Sequence, residues 1–122
     1  MVIDHIGFGV TDLETSKEFY TKCLAPLGIR PLLEEDGNVG YGRDIVAPFW
    51  FGKNSDPSKK IHIAFRAENR AQVDAFYKAA LEAGGIDNGA PGIREIYHPT
   101  YYAAFVLDPD GHNIEAVCHD PE

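Results

Sequence analysis

The sequence contains little cysteine and no concentration of positive charge. Its two cysteines, Cys23 and Cys118, form no CxxC motif among 122 residues, whereas a disulfide-stapled secreted scaffold carries more. We expect both to fill core space. Lys and Arg total 11 against 19 Asp and Glu, which gives a net charge of −8 without any basic run. Because nucleic-acid binding needs clustered Lys and Arg to neutralise phosphates, no nucleic-acid partner is expected.

Long hydrophobic runs are also missing. No apolar stretch approaches the roughly 20 residues of a membrane-spanning helix, and residues 2–5 do not follow the basic-then-apolar pattern of a leader. The composition is that of a globular protein, with 44% hydrophobic and 11% aromatic residues. We therefore expect a reduced, cytoplasmic, soluble domain with no membrane partner.

Several residues of the first half recur in the second half at one constant spacing. Each recurs 57 positions later (62 − 5 gives this value), and the pairs are His5 and His62, Phe19 and Phe76, Tyr20 and Tyr77, Leu24 and Leu81, and Gly28 and Gly85. Such a repeat normally means one supersecondary unit used twice, because a single copy cannot bury its apolar face alone. The repeat predicts one domain over residues 1–122, with a first module at about 1–53 and a second at about 60–120.

Each module is predicted to contain a strand, a helix and three further strands. Capping pairs, Thr11 with Glu14 and Asn69 with Gln72, mark the helix starts, and Gly28 ends the first helix. The strands are predicted at residues 2–10, 29–33, 39–45, 49–51, 60–67, 94–97, 102–107 and 113–119, with a turn at 89–92. Since two helices can cover only one sheet face, the pattern favours an α+β fold with one open sheet face.

The first strand of each module carries a histidine among small neighbours. Alternation places His5 with Gly7 and Gly9 on one face, and His62 with Ala64. A single strand histidine is more often a hydrogen-bonded core or surface residue than a ligand. The repetition, together with the small neighbours, favours two imidazoles that face a shared cavity.

The closing strand offers a carboxylate to the same cavity. Glu115 alternates away from Ile114 and Ala116, although it could also face solvent on an edge strand. Two imidazoles and one carboxylate, His5, His62 and Glu115, form the kind of set that holds a divalent transition metal such as Zn, Ni, Fe or Mn. A metal there could polarise a carbonyl or bind a vicinal diol. His112 and His119, which flank Glu115, are expected to be solvated surface residues.

The opening motif HIGF at residues 5–8, the duplication and the closing segment FVLDPDGHNIE at 105–115 resemble the vicinal oxygen chelate superfamily. This group includes glyoxalase I, type I extradiol dioxygenases, fosfomycin-resistance enzymes and bleomycin-resistance proteins, and the resemblance covers essentially the whole chain. It implies two βαβββ modules that form a cupped mixed sheet around a metal, with helices on the outer face. It also implies a homodimer, with each site built within one chain or from both chains, and it assigns His5, His62 and Glu115 as the ligands.

One position departs from the glyoxalase I pattern. Those enzymes supply a fourth ligand, a Glu, from the last strand of the first module, where this sequence has Trp50 or a neighbour. Trp cannot ligate a metal, so the resemblance supports a three-ligand set closer to that of the dioxygenases and fosfomycin transferases. Trp50 is instead predicted as an aromatic wall of the cavity.

Other side chains are candidates for the cavity rim. Tyr102 is predicted as a catalytic phenol near the metal. Arg94 and Arg43 could bind an anionic group of a substrate, because the planar guanidinium matches carboxylates and phosphates. Tyr and Arg on strands are also common as packing or surface residues.

Two classes of function remain. The first is a metal-dependent, glyoxalase-related enzyme acting on a small molecule with adjacent oxygen atoms, with Glu115 or a metal-bound water as the base. Its reaction would be of the lyase or isomerase kind, with a dioxygenase or thiol transferase as alternatives. The second is a metal-free protein that sequesters a small molecule between aromatic walls, like the bleomycin-resistance proteins.

Overall fold

The computed structural model describes residues 3–122. Val2, the first residue of the strand predicted at 2–10, lies outside the described residues. A 3-10 turn, Ala25–Leu27, follows the first helix. The elements in chain order are β1 (Ile6–Gly9), α1 (Leu13–Leu24), β2 (Arg30–Glu35), β3 (Asn38–Gly42), β4 (Phe49–Gly52), β5 (His62–Arg66), α2 (Arg70–Glu82), β6 (Ile86–Ile93), β7 (Tyr102–Leu107) and β8 (Asn113–Cys118).

The strands form two four-stranded sheets with the same internal order. Sheet A has the order β1-β4-β3-β2, and sheet B has the order β5-β8-β7-β6. In each sheet the first and last strands of the module pair in parallel, and the other neighbours are antiparallel. The identical order confirms the α+β fold of two βαβββ modules that the repeat predicts, with the strands divided between two mixed sheets.

Both helices begin at side-chain caps, one of them a residue later than predicted. Asp12, not Thr11, caps α1 by accepting a hydrogen bond from Thr15 N. The Thr11 N–H, which Glu14 would bind in a capping box, donates instead to the Asp110 carboxylate. Asn69 caps α2 as predicted, accepting from the backbone N–H of the residue three positions on. Gly28 has φ 76°, the left-handed conformation expected of a helix-terminating glycine.

The strand predicted at 94–97 is wrong. That stretch is a turn, closed by a hydrogen bond from Tyr97 N to Arg94 O, and the strand is β6, which includes the turn predicted at 89–92. Gly89, Pro91 and Gly92 suggest a turn in sequence, but β6 is the edge strand of sheet B and its pairing with β7 is irregular at both glycines. An edge strand tolerates Pro and Gly because one side of it needs no partner.

The core lies between the helices and one face of each sheet. α1 and α2 contact each other, and their buried residues continue into the strands of both modules. Fully buried side chains in this cluster include Phe19, Tyr20, Leu24, Phe76 and Ile114. Both cysteines are buried and unpaired, as expected. The opposite face of each sheet, which no helix covers, is called here the open face.

Alternation along the strands decides which residues reach the open faces. In sheet A, Phe49 and Phe51 are buried beneath the helices, and Trp50 between them points the other way. In sheet B, Ile114 and Ala116 belong to the core, and Glu115 lies on the open face. His62 therefore starts β5, and His5 immediately precedes β1, and the open faces of both sheets lack helical cover.

Candidate metal-binding site

His62 and Glu115 meet on the open face of sheet B. Strands β5 and β8 pair in parallel, with His62 opposite Asn113 and Ala64 opposite Glu115. Ala64 is small enough to leave room for the imidazole to reach the next strand. His62 Nε2 lies 3.0 Å from Glu115 Oε1. The sequence prediction that these two residues share a face is confirmed.

The hydrogen bonds of His62 direct its Nε2 toward the carboxylate. His62 Nδ1 lies 3.0 Å from the backbone oxygen of Asn113, and since a carbonyl can only accept, Nδ1 carries the hydrogen. A backbone carbonyl that holds one imidazole nitrogen in this way is the usual partner of a metal-ligating histidine. The ring also stacks at 24° on Phe105, with centroids 6.2 Å apart, so its orientation is fixed from two sides.

Glu115 is buried, with 2% of its side chain exposed. Its second oxygen, Oε2, accepts a short hydrogen bond from the hydroxyl of Tyr101. Burial, followed by this hydrogen bond to Glu115, raises the pKa of Tyr101 above its ordinary value. The phenol therefore stays a hydrogen-bond donor at neutral pH, and the two carboxylate oxygens have different partners.

His5 lies immediately before β1, beside the open face of sheet A. Its side chain is 65% exposed, and Nδ1 lies 2.7 Å from the Asp4 carboxylate. It lines a cavity of about 500 Å³, called here the sheet A cavity, whose lining residues are Asp4, His5, Glu35, Asp36, Asn38, Ala47 and Trp50. The expected space in front of His5 is thus present, with Trp50 as one wall.

His5 is not brought to the other two candidate ligands within one chain. Across residues 3–122, no three His, Cys, Asp or Glu side chains are grouped so that they could hold a metal ion. The structure thus assembles two of the three predicted ligands, His62 and Glu115, on sheet B, and leaves His5 on sheet A.

The pair on sheet B nevertheless suits a divalent ion. His62 Nε2 lies 3.0 Å from Glu115 Oε1, and both atoms are of types that ligate divalent ions. A nitrogen and an oxygen at that separation fit adjacent ligands of one ion, since bonds from transition metals to imidazole and carboxylate are about 2.0–2.2 Å. The side chain of His62 is 49% exposed, so a further ligand could reach an ion bound beside it from the solvent.

Trp50 is fixed by a neighbouring glycine. A Cβ atom at Gly40 would lie 2.6 Å from Trp50 Cε2. The indole therefore packs directly against the backbone of Gly40, in the space that a side chain there would occupy. Its Nε1 donates a hydrogen bond of 2.6 Å to the Ala47 backbone oxygen. The indole therefore forms a rigid wall of the sheet A cavity.

The two predicted arginines lie in different places. Arg94 stacks its guanidinium over Phe105 at 5.4 Å and donates to the backbone oxygens of Gly92 and Ala90 at 2.8 and 2.7 Å. It therefore adjoins the ring on which His62 stacks. Arg43 instead donates to the Leu27 backbone oxygen and lines a separate cavity of about 260 Å³ formed by Arg43, Arg66, Ala67, Glu68, His119 and Asp120.

Tyr102 does not lie beside Glu115, and Tyr101 takes that place. Tyr102 pairs with Cys118 and turns to the helix side, where its hydroxyl donates to Asp74 of α2 at 2.7 Å. The sequence contained the signal for Tyr101, because the alternation of β7, continued back by one residue, groups it with Phe105, the residue opposite Glu115. Its neighbours His98 and Thr100 add to the aromatic, polar turn before β7.

A family profile for the Glyoxalase/Bleomycin resistance protein/Dioxygenase superfamily matches residues 2–116. The chain belongs to this superfamily. The resemblance seen in the sequence is thus confirmed over nearly the whole chain, and the superfamily includes enzymes. Among the described residues, no helix has the length and apolarity needed to span a membrane.

Solved structures of other members share the fold. A glyoxalase/bleomycin resistance protein from Albidiferax ferrireducens T118 is 31% identical, covers 98% of this chain and 100% of its own, and has a TM-score of 0.84. A glyoxalase-related enzyme from Fulvimarina pelagi is 20% identical over 95% of this chain and 86% of its own, with a TM-score of 0.73. At that identity the second likeness shows the fold alone. A search of curated proteins gave no match.

Proposed function

We propose that this superfamily member is a metal-dependent, glyoxalase-related enzyme acting on a small molecule with adjacent oxygen atoms. The observation that supports it is the pairing of His62 Nε2 with Glu115 Oε1 at 3.0 Å. A buried carboxylate and an imidazole with its second nitrogen held by a backbone carbonyl are a metal-site donor set. His5, His62 and Glu115 are the proposed ligands of one divalent ion, Zn, Ni, Fe or Mn.

The third ligand would come from a second copy of the chain. The sheet A cavity carries Asp4, Glu35 and Asp36, and the open face of sheet B carries Arg66 and Arg94. Opposite charges favour the meeting of sheet A of one copy with sheet B of another. Such a homodimer would bring His5 of one copy to His62 and Glu115 of the other, and a two-fold axis would build the site twice.

Each of the proposed site residues would have a separate role in the reaction. A divalent ion held there would polarise a carbonyl or a vicinal diol of the substrate. Glu115, whose Oε2 accepts a hydrogen bond from Tyr101, is the proposed base. Arg94, fixed over Phe105, would bind an anionic group of the substrate. Trp50 would exclude water from an apolar part of the substrate. A lyase or isomerase reaction fits this arrangement, and cytoplasmic localisation accords with the low cysteine content.

Metal analysis tests the proposal. Purified protein, mildly dialysed, is expected to retain or take up about one divalent ion per chain when titrated with Ni, Zn, Mn or Fe. His62→Ala and Glu115→Gln should lose it, while Glu95→Gln, which removes an exposed carboxylate from the β6–β7 turn, should not. The absence of bound metal, together with no response to any of the four ions, would rule the proposal out.

A metal-free sequestering protein is the second candidate. The fixed indole of Trp50 beside a cavity of about 500 Å³ favours it. This function predicts that aromatic ligands quench Trp50 fluorescence equally well before and after EDTA treatment. Quenching that EDTA abolishes would favour the metal enzyme.

A further inference from the structure

Tyr101 is enclosed by three aromatic rings. Its ring lies 4.8 Å from Tyr97, 5.2 Å from His98 and 5.2 Å from His119, measured between centroids. The two imidazoles meet it edge to face, at 76° and 89°. These three rings, called here the Tyr101 cage, come from the β6–β7 turn and from the chain just after β8.

The cage is held by hydrogen bonds whose directions can be assigned. Thr100 N donates to His98 Nδ1 at 3.2 Å, so the hydrogen of His98 is on Nε2. That Nε2 donates to His119 Nδ1 at 2.7 Å. The Thr100 hydroxyl donates to the His119 backbone oxygen at 2.6 Å. Burial, and then the Arg66 guanidinium, lower the pKa of His119, which favours the neutral ring that can accept.

The backbone of Tyr101 is fixed as well. Its N–H donates to the His98 oxygen at 3.1 Å, and its own oxygen accepts from Arg94 N at 2.8 Å. With both backbone groups bonded and the ring enclosed, few orientations remain for the phenol. The hydroxyl therefore points at Glu115 Oε2 as a fixed donor rather than as a mobile surface group.

We propose that Tyr101 is a positioning residue: its hydrogen bond occupies Oε2 of Glu115, so that the carboxylate binds a cation through Oε1 alone. The His98–His119 pair in turn holds Tyr101 in place. This inference rests on the proposed function, because it concerns how the proposed ligand Glu115 is presented. Without the phenol, Oε2 would lose its donor and the carboxylate could rotate or bind through both oxygens.

The test compares two phenol deletions. Tyr101→Phe keeps the ring and removes the donor, and Tyr97→Phe removes a cage hydroxyl that does not touch Glu115. The dissociation constant of Co²⁺, measured by calorimetry, should rise about 10- to 100-fold in Tyr101→Phe and change less than about twofold in Tyr97→Phe. The visible spectrum of bound Co²⁺ should change only in Tyr101→Phe, because the binding mode of Glu115 changes.

Variants of the cage test the second half of the inference and remain informative if Tyr101→Phe does not fold. His98→Ala removes the donor to His119, and His98→Gln can restore an N–H at nearly the same place. We expect Co²⁺ to bind more weakly to His98→Ala, with affinity largely rescued in His98→Gln.

The outcomes separate the two proposals. Equal Co²⁺ affinity and an equal spectrum in wild type and Tyr101→Phe would overturn the role of Tyr101 and leave the metal site standing. Co²⁺ binding that is absent from wild type itself would overturn the proposed function and this inference with it.

Discussion

His112 donates a hydrogen bond from Nε2 to the backbone oxygen of Gly9 at 2.9 Å, and so joins the second module to the first strand of the first. Its Nδ1 accepts from Ile61 N at 3.2 Å, and its ring packs against Phe8 at 4.8 Å. The expectation that His112 is solvated is wrong, because it is fully buried. The turn before β8 therefore fixes how the two modules sit together.

His112→Ala is predicted to destabilise the fold. The substitution removes a buried ring and leaves Gly9 O and Ile61 N without partners, which should cost about 2–4 kcal/mol in the free energy of unfolding. Urea denaturation measures this cost. The exposed His5→Ala serves as the control, expected within about 0.5 kcal/mol of wild type; a similar small change in His112→Ala would contradict the assigned role.

Alkaline pH should destabilise the protein through Tyr20. Burial, and then the charge of Asp108, raise the pKa of the Tyr20 phenol well above its ordinary value, and its hydroxyl donates to Asp108 at 2.5 Å. The unfolded chain releases this proton near pH 10, while the folded chain retains it. The stabilisation is therefore complete below about pH 10 and declines as the pH rises further.

Urea midpoints between pH 8 and 11 check this dependence. Tyr20→Phe should be less stable at pH 8, by about 1–3 kcal/mol for a lost buried hydrogen bond. It should also lose stability less steeply above pH 10 than wild type. If the urea midpoints of the two proteins fell in parallel as the pH rises, Tyr20 would not contribute to the loss of stability at alkaline pH.

Two glycines of sheet A make a matched pair around Trp50. Gly40→Ala should displace the indole, because the added Cβ at position 40 would lie 2.6 Å from Trp50 Cε2. A Cβ added at Gly7 would meet Trp50 Cβ at 3.8 Å, which is an ordinary van der Waals contact. Trp50 fluorescence should therefore shift in Gly40→Ala and remain close to that of wild type in Gly7→Ala. Equal spectra for all three proteins would contradict the placement of the indole.

The local pattern of the sequence predicted most of the fold. The 57-residue repeat gave both modules, and alternation placed Trp50 and Glu115 on open faces. Short-range signals were less reliable where a tertiary contact competes with them. Asp110, not Glu14, binds the Thr11 N–H, and the helix cap is Asp12. The edge position of β6 accepts residues that usually form turns.

The candidate site was harder to predict because it depends on strand register and on the relation between modules. A shift of one residue separates Tyr101 from Tyr102, and such a shift exchanges the helix side for the open face. His5 and His62 are equivalent in the repeat, yet equivalence does not place them at one point. They lie at the open faces of separate sheets, and no three ligating side chains meet within residues 3–122.

The proposed sharing of the site between two chains is the central claim, and mixed variants test it most directly. His5→Ala and His62→Ala each remove one ligand from every site, so neither variant alone should bind the divalent ion tightly. When the two are unfolded and refolded together, a dimer with one chain of each kind regains one intact site. Tight Co²⁺ binding at about a quarter of the wild-type stoichiometry is expected for random pairing, and no recovery of binding in the mixture would contradict the shared site.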